Sequence, residues 1–297
     1  MQPFIHHVSL LTKNSSDNQR FYIDFLGLRF VKHTVNQDNH RMIHDYYGNY
    51  YGAPGSVITF FIVPLLGHRY DNAHSLQTIG LKIPKGSLLF WKNRLKTAGI
   101  SYNQEKQTLI FQDKDEVVIY LTETDQPPLE KKYQVDSTDI PPEKQILGLM
   151  STEFHVEDPQ LTIDFFQQFL NWKTENNRVL LNDIDFIDIF PSEQKEKTRM
   201  GRGSMDHVAF AVENDVALDL LYEKAKKQGW LIEKIVNRGY FRSLYIREPG
   251  GNRVEFATLS PGFTIDEPLE RLGETLALPP FLQNQRSDIE AAIYKEK

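Results

Sequence analysis

The sequence predicts an α+β protein assembled from four copies of one strand–helix–strands module. Short segments rich in Val, Ile, Phe and Leu recur between amphipathic helical stretches at a period of about 70 residues. The signals that end the helices recur with them. Phe25-Leu26-Gly27 matches Phe169-Leu170-Asn171, and Lys96-Thr97-Ala98-Gly99 matches Lys226-Lys227-Gln228-Gly229, with Gly or Asn where a left-handed cap is needed. Residues 207–212 also align with 78–83 and with 151–156. One such module cannot bury its sheet face alone, so the modules must pair.

In chain order, residues 5–12 read as a strand. Ser16 can cap a helix whose apolar side is Phe21, Tyr22, Phe25 and Leu26 and which stops at Gly27. A loop rich in Tyr and Gly follows, then a strong strand at 56–63. The second module has a strand at 77–83, a helix carrying Leu88, Leu89, Trp91 and Leu95 that stops at Gly99, and strands at 109–111 and 117–122. Residues 124–145 are charged, hold two Pro-Pro pairs and lack periodicity. They are expected to link an N-terminal domain, 1–123, to a C-terminal domain, 146–260. The third module opens with a strand at 150–156, and Asp158-Pro159 supplies an N-cap followed by proline at the first helical position. Its helix buries Ile163, Phe166, Phe169 and Leu170, and strands follow at 178–181 and 186–190. The fourth has a strand at 207–212, a helix with Leu218, Leu221, Tyr222 and Ala225 closing at Gly229, and strands at 231–235, 243–247 and 253–258. The tail, 261–297, is long enough to pack on the second domain or to reach a second copy in a homo-oligomer.

Composition bounds the function. The 297 residues suit two domains, with 40% hydrophobic and 25% charged residues as in ordinary soluble proteins. A net charge of −6 does not favour nucleic acid or an anionic membrane surface. The absence of cysteine excludes disulfides, thiolate nucleophiles and thiolate metal sites. No apolar run approaches the roughly 20 residues that span a bilayer. Met1-Gln2-Pro3 runs straight into the first strand and leaves no room for a signal peptide, so a cytoplasmic location is expected.

The chemistry centres on Arg247–Thr258. Pro249-Gly250-Gly251-Asn252 is a turn, and Val254-Glu255-Phe256 is a strand with one carboxylate among apolar side chains. Such a carboxylate is costly unless it is paired or bound to a metal. Histidines open two other strands, at His6-His7 and at His207. A histidine there is, taken alone, more often structural; two histidines and a carboxylate on three strands are the parts of a facial metal triad.

Taken together, these segments resemble the vicinal oxygen chelate superfamily of glyoxalase I, fosfomycin and bleomycin resistance proteins and extradiol dioxygenases. The nearest likeness is to ring-cleaving dioxygenases of the hydroquinone-dioxygenase type. It is carried by His6-His7-Val8-Ser9, Tyr46-Tyr47-Gly48, the stretch from Gly52 to Phe61, Gly86-Ser87-Leu88-Leu89-Phe90-Trp91, Asp206-His207-Val208-Ala209-Phe210, the stretch from Arg238 to Tyr245, and Leu278-Pro279-Pro280 with Ile289-Glu290. The resemblance implies two tandem domains, each a curved mixed sheet with helices outside. It implies Fe(II), with Mn(II) or another divalent metal as the alternative, held by His7, His207 and Glu255. The implied reaction is extradiol-type cleavage of a small hydroquinone- or catechol-like aromatic diol by O2. Thr78 and Ser151 stand where His207 does in the second and third modules, which makes modules one and four the working cup and modules two and three a vacant copy.

Supporting roles fall near the triad. His6 adjoins a ligand and belongs, in a regular strand, to the opposite face, although the family places a histidine near the substrate there. Ser9 shares the face of His7. Arg238 can hold a substrate oxygen or serve as an ion-pair residue, and Tyr245 can donate a hydrogen bond to substrate or O2 or be a strand aromatic. Asp206 departs from relatives that carry histidine, and an aspartate cannot replace an imidazole acid near neutral pH.

Two other functions use the same features. An isomerase or thiol transferase of the glyoxalase or resistance type would employ a second carboxylate, and Thr59 stands in the first-module position equivalent to Glu255. A non-enzymatic aromatic-ligand binding protein would not require a complete ligand set. His33, His40, His44, His68 and His74 fall in polar, loop-like segments and read as solvated; His155 reads as structural. Tyr46, Tyr47, Tyr50 and Tyr51 either line an aromatic pocket or pack in a loop, and 193–197 reads as a solvated turn.

Overall fold

Residues 1–294 are described by a computed structural model. The first module comprises β1 (Ile5–Thr12), α1 (Ser15–Gln19) running on into a π-helical turn (Arg20–Phe25), β2 (Arg29–Asn36), β3 (Asn39–Gly48) and β4 (Val57–Ile62). The second has β5 (Ser75–Pro84), α2 (Leu88–Thr97), β6 (Tyr102–Glu105), β7 (Thr108–Gln112) and β8 (Val118–Thr124). The third has β9 (Gly148–Val156), α3 (Pro159–Leu170), β10 (Lys173–Glu175), β11 (Arg178–Leu180) and β12 (Phe186–Pro191). The fourth has β13 (Met205–Val212), α4 (Asp215–Gln228), β14 (Leu231–Asn237), β15 (Phe241–Arg247) and β16 (Arg253–Pro261); α5 (Arg286–Tyr294) lies in the tail.

Strand pairing joins the first module to the fourth and the second to the third. One run of strands is β2-β3-β4-β1-β13-β16-β15-β14, and the other is β6-β7-β8-β5-β9-β12-β11-β10; a single pair, Leu76 with Met205, connects them. At each centre the opening strands of two modules run antiparallel. Ser9 faces His207 across β1 and β13, and each of these strands has a parallel neighbour on its other side, β4 or β16. The two central strands of the other run approach so closely that a Cβ on Gly80 would lie 2.0 Å from Ser151 Oγ.

The helices tie sequence neighbours together instead. Phe21 and Phe25 pack on Phe111, and Phe25 on Trp91, so the first module's helix leans on the second module. Phe166 and Phe169 of α3 meet Phe210 and Phe256 of the fourth. Each of these buried rings contributes about 1.5–3 kcal/mol by leaving water.

Several local expectations are corrected. Asn14, not Ser16, caps the first helix, its Oδ1 accepting from Asp17 N at 3.1 Å. The stretch expected as a Tyr- and Gly-rich loop contains β2 and β3. The short strands β6 and β10 were not anticipated from the pattern. The caps at Asn171 and Gly229 are left-handed, with φ of 56° and 76°, as their residue types require. The tail packs on the second half where Phe263 and Asp266 meet Tyr240, but it does not stop there. It crosses to the first module, where Ala277 N donates to His33 O and α5 packs on β3. Lys32, fully buried on β2, fastens it: Nζ lies 2.6 Å from Asp266 Oδ1, 2.6 Å from Glu267 Oε2 and 3.0 Å from Phe263 O.

Candidate metal centre

Three strands of the first run bring the triad together. His7 lies on β1, His207 on β13 and Glu255 on β16, all buried. His7 Nε2 is 3.3 Å from His207 Nε2 and 3.3 Å from Glu255 Oε2; His207 Nε2 is 2.8 Å from the same oxygen. Bonds of about 2.1 Å at right angles place neighbouring ligand atoms about 3 Å apart, so these atoms fit one face of an octahedron. Glu255 Oε1 accepts from Ser243 Oγ at 2.5 Å, while the wholly buried Oε2 accepts no aligned hydrogen bond. A buried carboxylate needs a positive partner, which protonated His207 supplies at 2.8 Å and which a cation between the three atoms would supply in its place. Among the described residues this is the one such cluster of His, Cys, Asp and Glu side chains close enough to share an ion. Thr78 and Ser151, the corresponding residues of the other run, are hydroxyl side chains with no carboxylate or imidazole in such an arrangement.

Outer partners fix the tautomers. For Nε2 of His207 to face inward unprotonated, Nδ1 carries the hydrogen, and it lies 2.7 Å from Asp206 Oδ2. Asp206 in turn takes two 2.8 Å bonds from Arg253 Nη1. Burial opposes its charge, but His207 and Arg253 hold the Asp206 carboxyl well below its ordinary range. Behind His7, Nδ1–H donates to His6 Nδ1 at 2.9 Å, and His6 Nε2–H donates to Thr258 O at 3.2 Å. His6 packs edge-on against Phe241 and lies outside the cavity; burial and the neighbouring His7 push it down to about 3.

A cavity of about 140 Å3 opens beside the triad. Leu11, Val35, Met42, Phe61 and Phe241 supply apolar wall, while His44, Tyr46, Arg238, Tyr245 and Asp206 supply polar groups. Arg238 Nε donates to Tyr245 OH at 3.2 Å, and its guanidinium also pairs with Asp38 at 3.2 Å, so the cavity-facing and ion-pair readings hold together. Burial and Glu255 push the Tyr245 phenol well above its ordinary range and keep it a neutral donor. Asp38 sits at the tip of the β2–β3 hairpin and also pairs with Lys234 of β14 at 2.5 Å, so the hairpin roofs the cavity. Ser9, the register partner of His207, is buried outside the cavity lining, and its Oγ is 2.6 Å from Thr59 Oγ1.

Of the residues expected as solvated, His33 is 2.6 Å from Asp45 and His44 lines the cavity. The Tyr cluster divides. Tyr46 lines the cavity, Tyr47 stacks on Tyr22 in the core, Tyr50 lies under Arg29 and Tyr51 meets Tyr133. His155 is 3.0 Å from Glu153, and 193–197 is largely exposed. Tyr46 is a candidate pocket aromatic from sequence, whereas His44 carries no signal beyond its two-residue spacing from Tyr46, which puts both on one face of a strand.

Metal uptake is expected to displace a proton. In the metal-free centre burial opposes a charge on His207, but Glu255 and Asp206 outweigh it and push the imidazole up to about 9. An ion can bind only after that proton leaves. Apparent affinity for a divalent metal should therefore rise about tenfold per pH unit from about 7 to 9 and then level off. Titration with a chelator-buffered metal across that range checks this; an affinity flat in pH contradicts it.

Similarity to known proteins bears on the family and the fold. Residues 148–256 match the model of the Glyoxalase/Bleomycin resistance protein/Dioxygenase superfamily. The chain is 34% identical to a Bacillus subtilis (strain 168) protein named "Putative ring-cleaving dioxygenase MhqA", over 97% of each chain. It is 25% identical to a Sphingobium indicum protein named "Chlorohydroquinone/hydroquinone 1,2-dioxygenase", over 96% of this chain and 94% of that protein. A Bacillus subtilis crystal structure described as a "putative dioxygenase" superposes with a TM-score of 0.88 at 27% identity, covering 97% of this chain and 95% of the other. Glyoxalase I from Zea mays shares the fold, with a TM-score of 0.60 at 12% identity over 86% of this chain and 92% of that one.

Proposed function

Since the chain belongs to the Glyoxalase/Bleomycin resistance protein/Dioxygenase superfamily, among its ring-cleaving dioxygenases, we propose that it is a non-haem Fe(II) enzyme opening a single-ring hydroquinone- or catechol-like diol by extradiol-type cleavage. The supporting observation is the buried His7–His207–Glu255 face, its three ligand atoms within 3.3 Å of one another, at the end of a cavity sized for one ring. A cavity of about 150 Å3 accepts benzene; the space here is close to that. Three protein ligands on one face leave about three positions for water, substrate and O2. Fe(II) bound there would supply the path for electron density from ring to O2.

The protein's own groups orient and protonate. Asp206 and His6 hold the two imidazoles so that each presents Nε2 inward. Arg238, kept cationic at the cavity wall, binds a ring oxygen away from the triad. Tyr245 donates a hydrogen bond to an oxygen near Glu255. Leu11, Phe61 and Phe241 exclude water, which strengthens each polar contact inside. On this reading 1–123 and 146–260 are the two halves of the chain that contribute one working module each. An isomerase of the glyoxalase type is disfavoured, because Thr59 takes the place its second carboxylate would have.

Anaerobic reconstitution with Fe(II), followed by O2 uptake with a panel of diols, tests the proposal. Single-ring hydroquinones or catechols should drive uptake with loss of aromatic absorbance, and naphthalene or biphenyl diols should run at below about one-tenth of that rate, since one added ring exceeds the cavity. Full iron occupancy with no uptake on any diol would sink the reading.

A further inference from the structure

A polar row crosses the floor of the cup. Tyr46 on β3 is the register partner of Thr59 on β4, Thr59 is the partner of Ser9 on β1, and Ser9 is the partner of His207 on β13. His44, two residues from Tyr46, closes the gaps. Tyr46 OH is 2.9 Å from His44 Nδ1, His44 Nε2 is 2.8 Å from Thr59 Oγ1, and Thr59 Oγ1 is 2.6 Å from Ser9 Oγ. The imidazole is clamped between Phe61 and Tyr46, with ring centroids at 4.0 and 4.2 Å. Both its nitrogens are engaged, so it reaches a cavity ligand only through the Tyr46 hydroxyl.

The fourth module uses the same positions differently. Tyr245 pairs in register with Glu255 as Tyr46 does with Thr59, and Ser243 pairs with Ala257 as His44 does with Phe61. There, Ser243 supports the carboxylate of the metal face. In the first module the carboxylate is replaced by a hydroxyl and the supporting serine by an imidazole, which turns a ligand site into an uninterrupted chain of groups that both donate and accept.

Two hydrogen-bond arrangements satisfy every link. In one, Tyr46 OH donates to Nδ1, Nε2–H to Thr59 and Thr59 OH to Ser9, leaving the Tyr46 oxygen free to accept from the cavity. In the other, all three bonds reverse, and Tyr46 OH is free to donate.

Resting on the aromatic-diol reading above, we propose that Tyr46, His44, Thr59 and Ser9 form a proton relay between a ring hydroxyl bound in the cavity and the triad side of β1. The substrate O–H bond breaks and its proton joins the Tyr46 oxygen. The Tyr46 proton passes to Nδ1, the Nε2 proton to Thr59, and the Thr59 proton to Ser9. The Ser9 proton leaves to a hydroxide on the His207 side of β1, which becomes water as the diol becomes its monoanion. No electrons move in this step, and no member of the relay ends charged. Burial lowers His44 and raises Tyr46, so both start neutral. Diol plus O2 contains all the atoms of the ring-opened product, so the proton removed is returned when the relay runs backwards. Tyr46 is the catalytic member; His44, Thr59 and Ser9 act through it.

The test uses Fe(II)-loaded protein without O2 and 4-nitrocatechol, whose absorbance reports its ionisation, mixed rapidly in H2O and in D2O. Thr59→Val removes the central link and Thr59→Ser keeps it. Thr59→Val should retain iron and bind the probe within about threefold of wild type, yet ionise it about 100-fold more slowly, the size of a lost proton-transfer partner. Thr59→Ser should restore the rate within a few-fold, and Tyr46→Phe should be as slow as Thr59→Val. Wild type should show a solvent isotope effect that Thr59→Val changes. Should Thr59→Val fail to retain iron, Tyr46→Phe carries the same comparison. Equal ionisation rates in wild type and Tyr46→Phe, or equal slowing in Thr59→Val and Thr59→Ser, would overturn the relay. If the variants differ as expected while wild type consumes no O2 with any diol, the dioxygenase reading fails and the relay stands.

Discussion

His207→Ala is expected to leave a folded protein that neither retains Fe(II) nor opens a ring. His207 Nε2 lies 2.8 Å from Glu255 Oε2 and 3.3 Å from His7 Nε2, so its removal takes one corner from the face. Losing a partner behind a ligand weakens metal binding about 10–100-fold, and losing the ligand itself should exceed that range. It also leaves Asp206 with Arg253 as its remaining charged partner. Metal analysis after desalting should find iron below about one-tenth of wild type. Turnover should fall to background. A thermal scan gives an independent reading, since a ligand at about 1,000 times its Kd stabilises the folded state by about 4 kcal/mol and that increment should vanish in the variant. Wild-type iron content in His207→Ala would remove His207 from the ligand set.

Lys32→Met should be the most destabilising single change away from the triad. The ammonium is fully buried and touches two carboxylates and a carbonyl, and Asp266 also accepts from Tyr240 OH at 2.7 Å. Deleting it leaves two buried carboxylates with no cation against them, a loss of about 3–5 kcal/mol. Tyr240 adjoins Phe241, which packs on His6 and His7, so loosening should extend to the cavity wall. Urea unfolding should show the loss, and limited proteolysis should cut first near 261–285. Combining Lys32→Met with Asp266→Asn and Glu267→Gln should recover part of the stability, because neutral amides tolerate the site better than unpaired charges. A triple variant less stable than the single one would contradict this account.

The two buried charges explain which elements could be read from sequence. β1, β13 and β16 are mainly apolar runs, and histidines at the start of two of them and a carboxylate within the third make His7, His207 and Glu255 stand out. β2 reads Arg-Phe-Val-Lys-His-Thr-Val-Asn, with Lys32 and Thr34 buried, and β3 turns His44 and Tyr46 toward a polar cavity. Inward polar residues erase the period of two that marks a strand, and their partners lie more than 200 residues away in the tail or on the opposite side of the cup. Local pattern cannot register such partners. The π-helical turn at Arg20–Phe25 likewise has an ordinary helical sequence; its wider path is set by packing on Phe111 and Trp91. Pairing of the outer modules was legible for a different reason: only they carried ligand-type residues at the matching positions.

That pairing has a consequence during synthesis. As the polypeptide leaves the ribosome, β1 emerges well before β13 and β16, with the second and third modules between them. The inner modules can close on each other before then, while His7 waits on a strand edge with no partner. The His7–His207–Glu255 cluster can thus assemble only in molecules whose translation has passed Glu255, and products terminated before it lack one of its three corners.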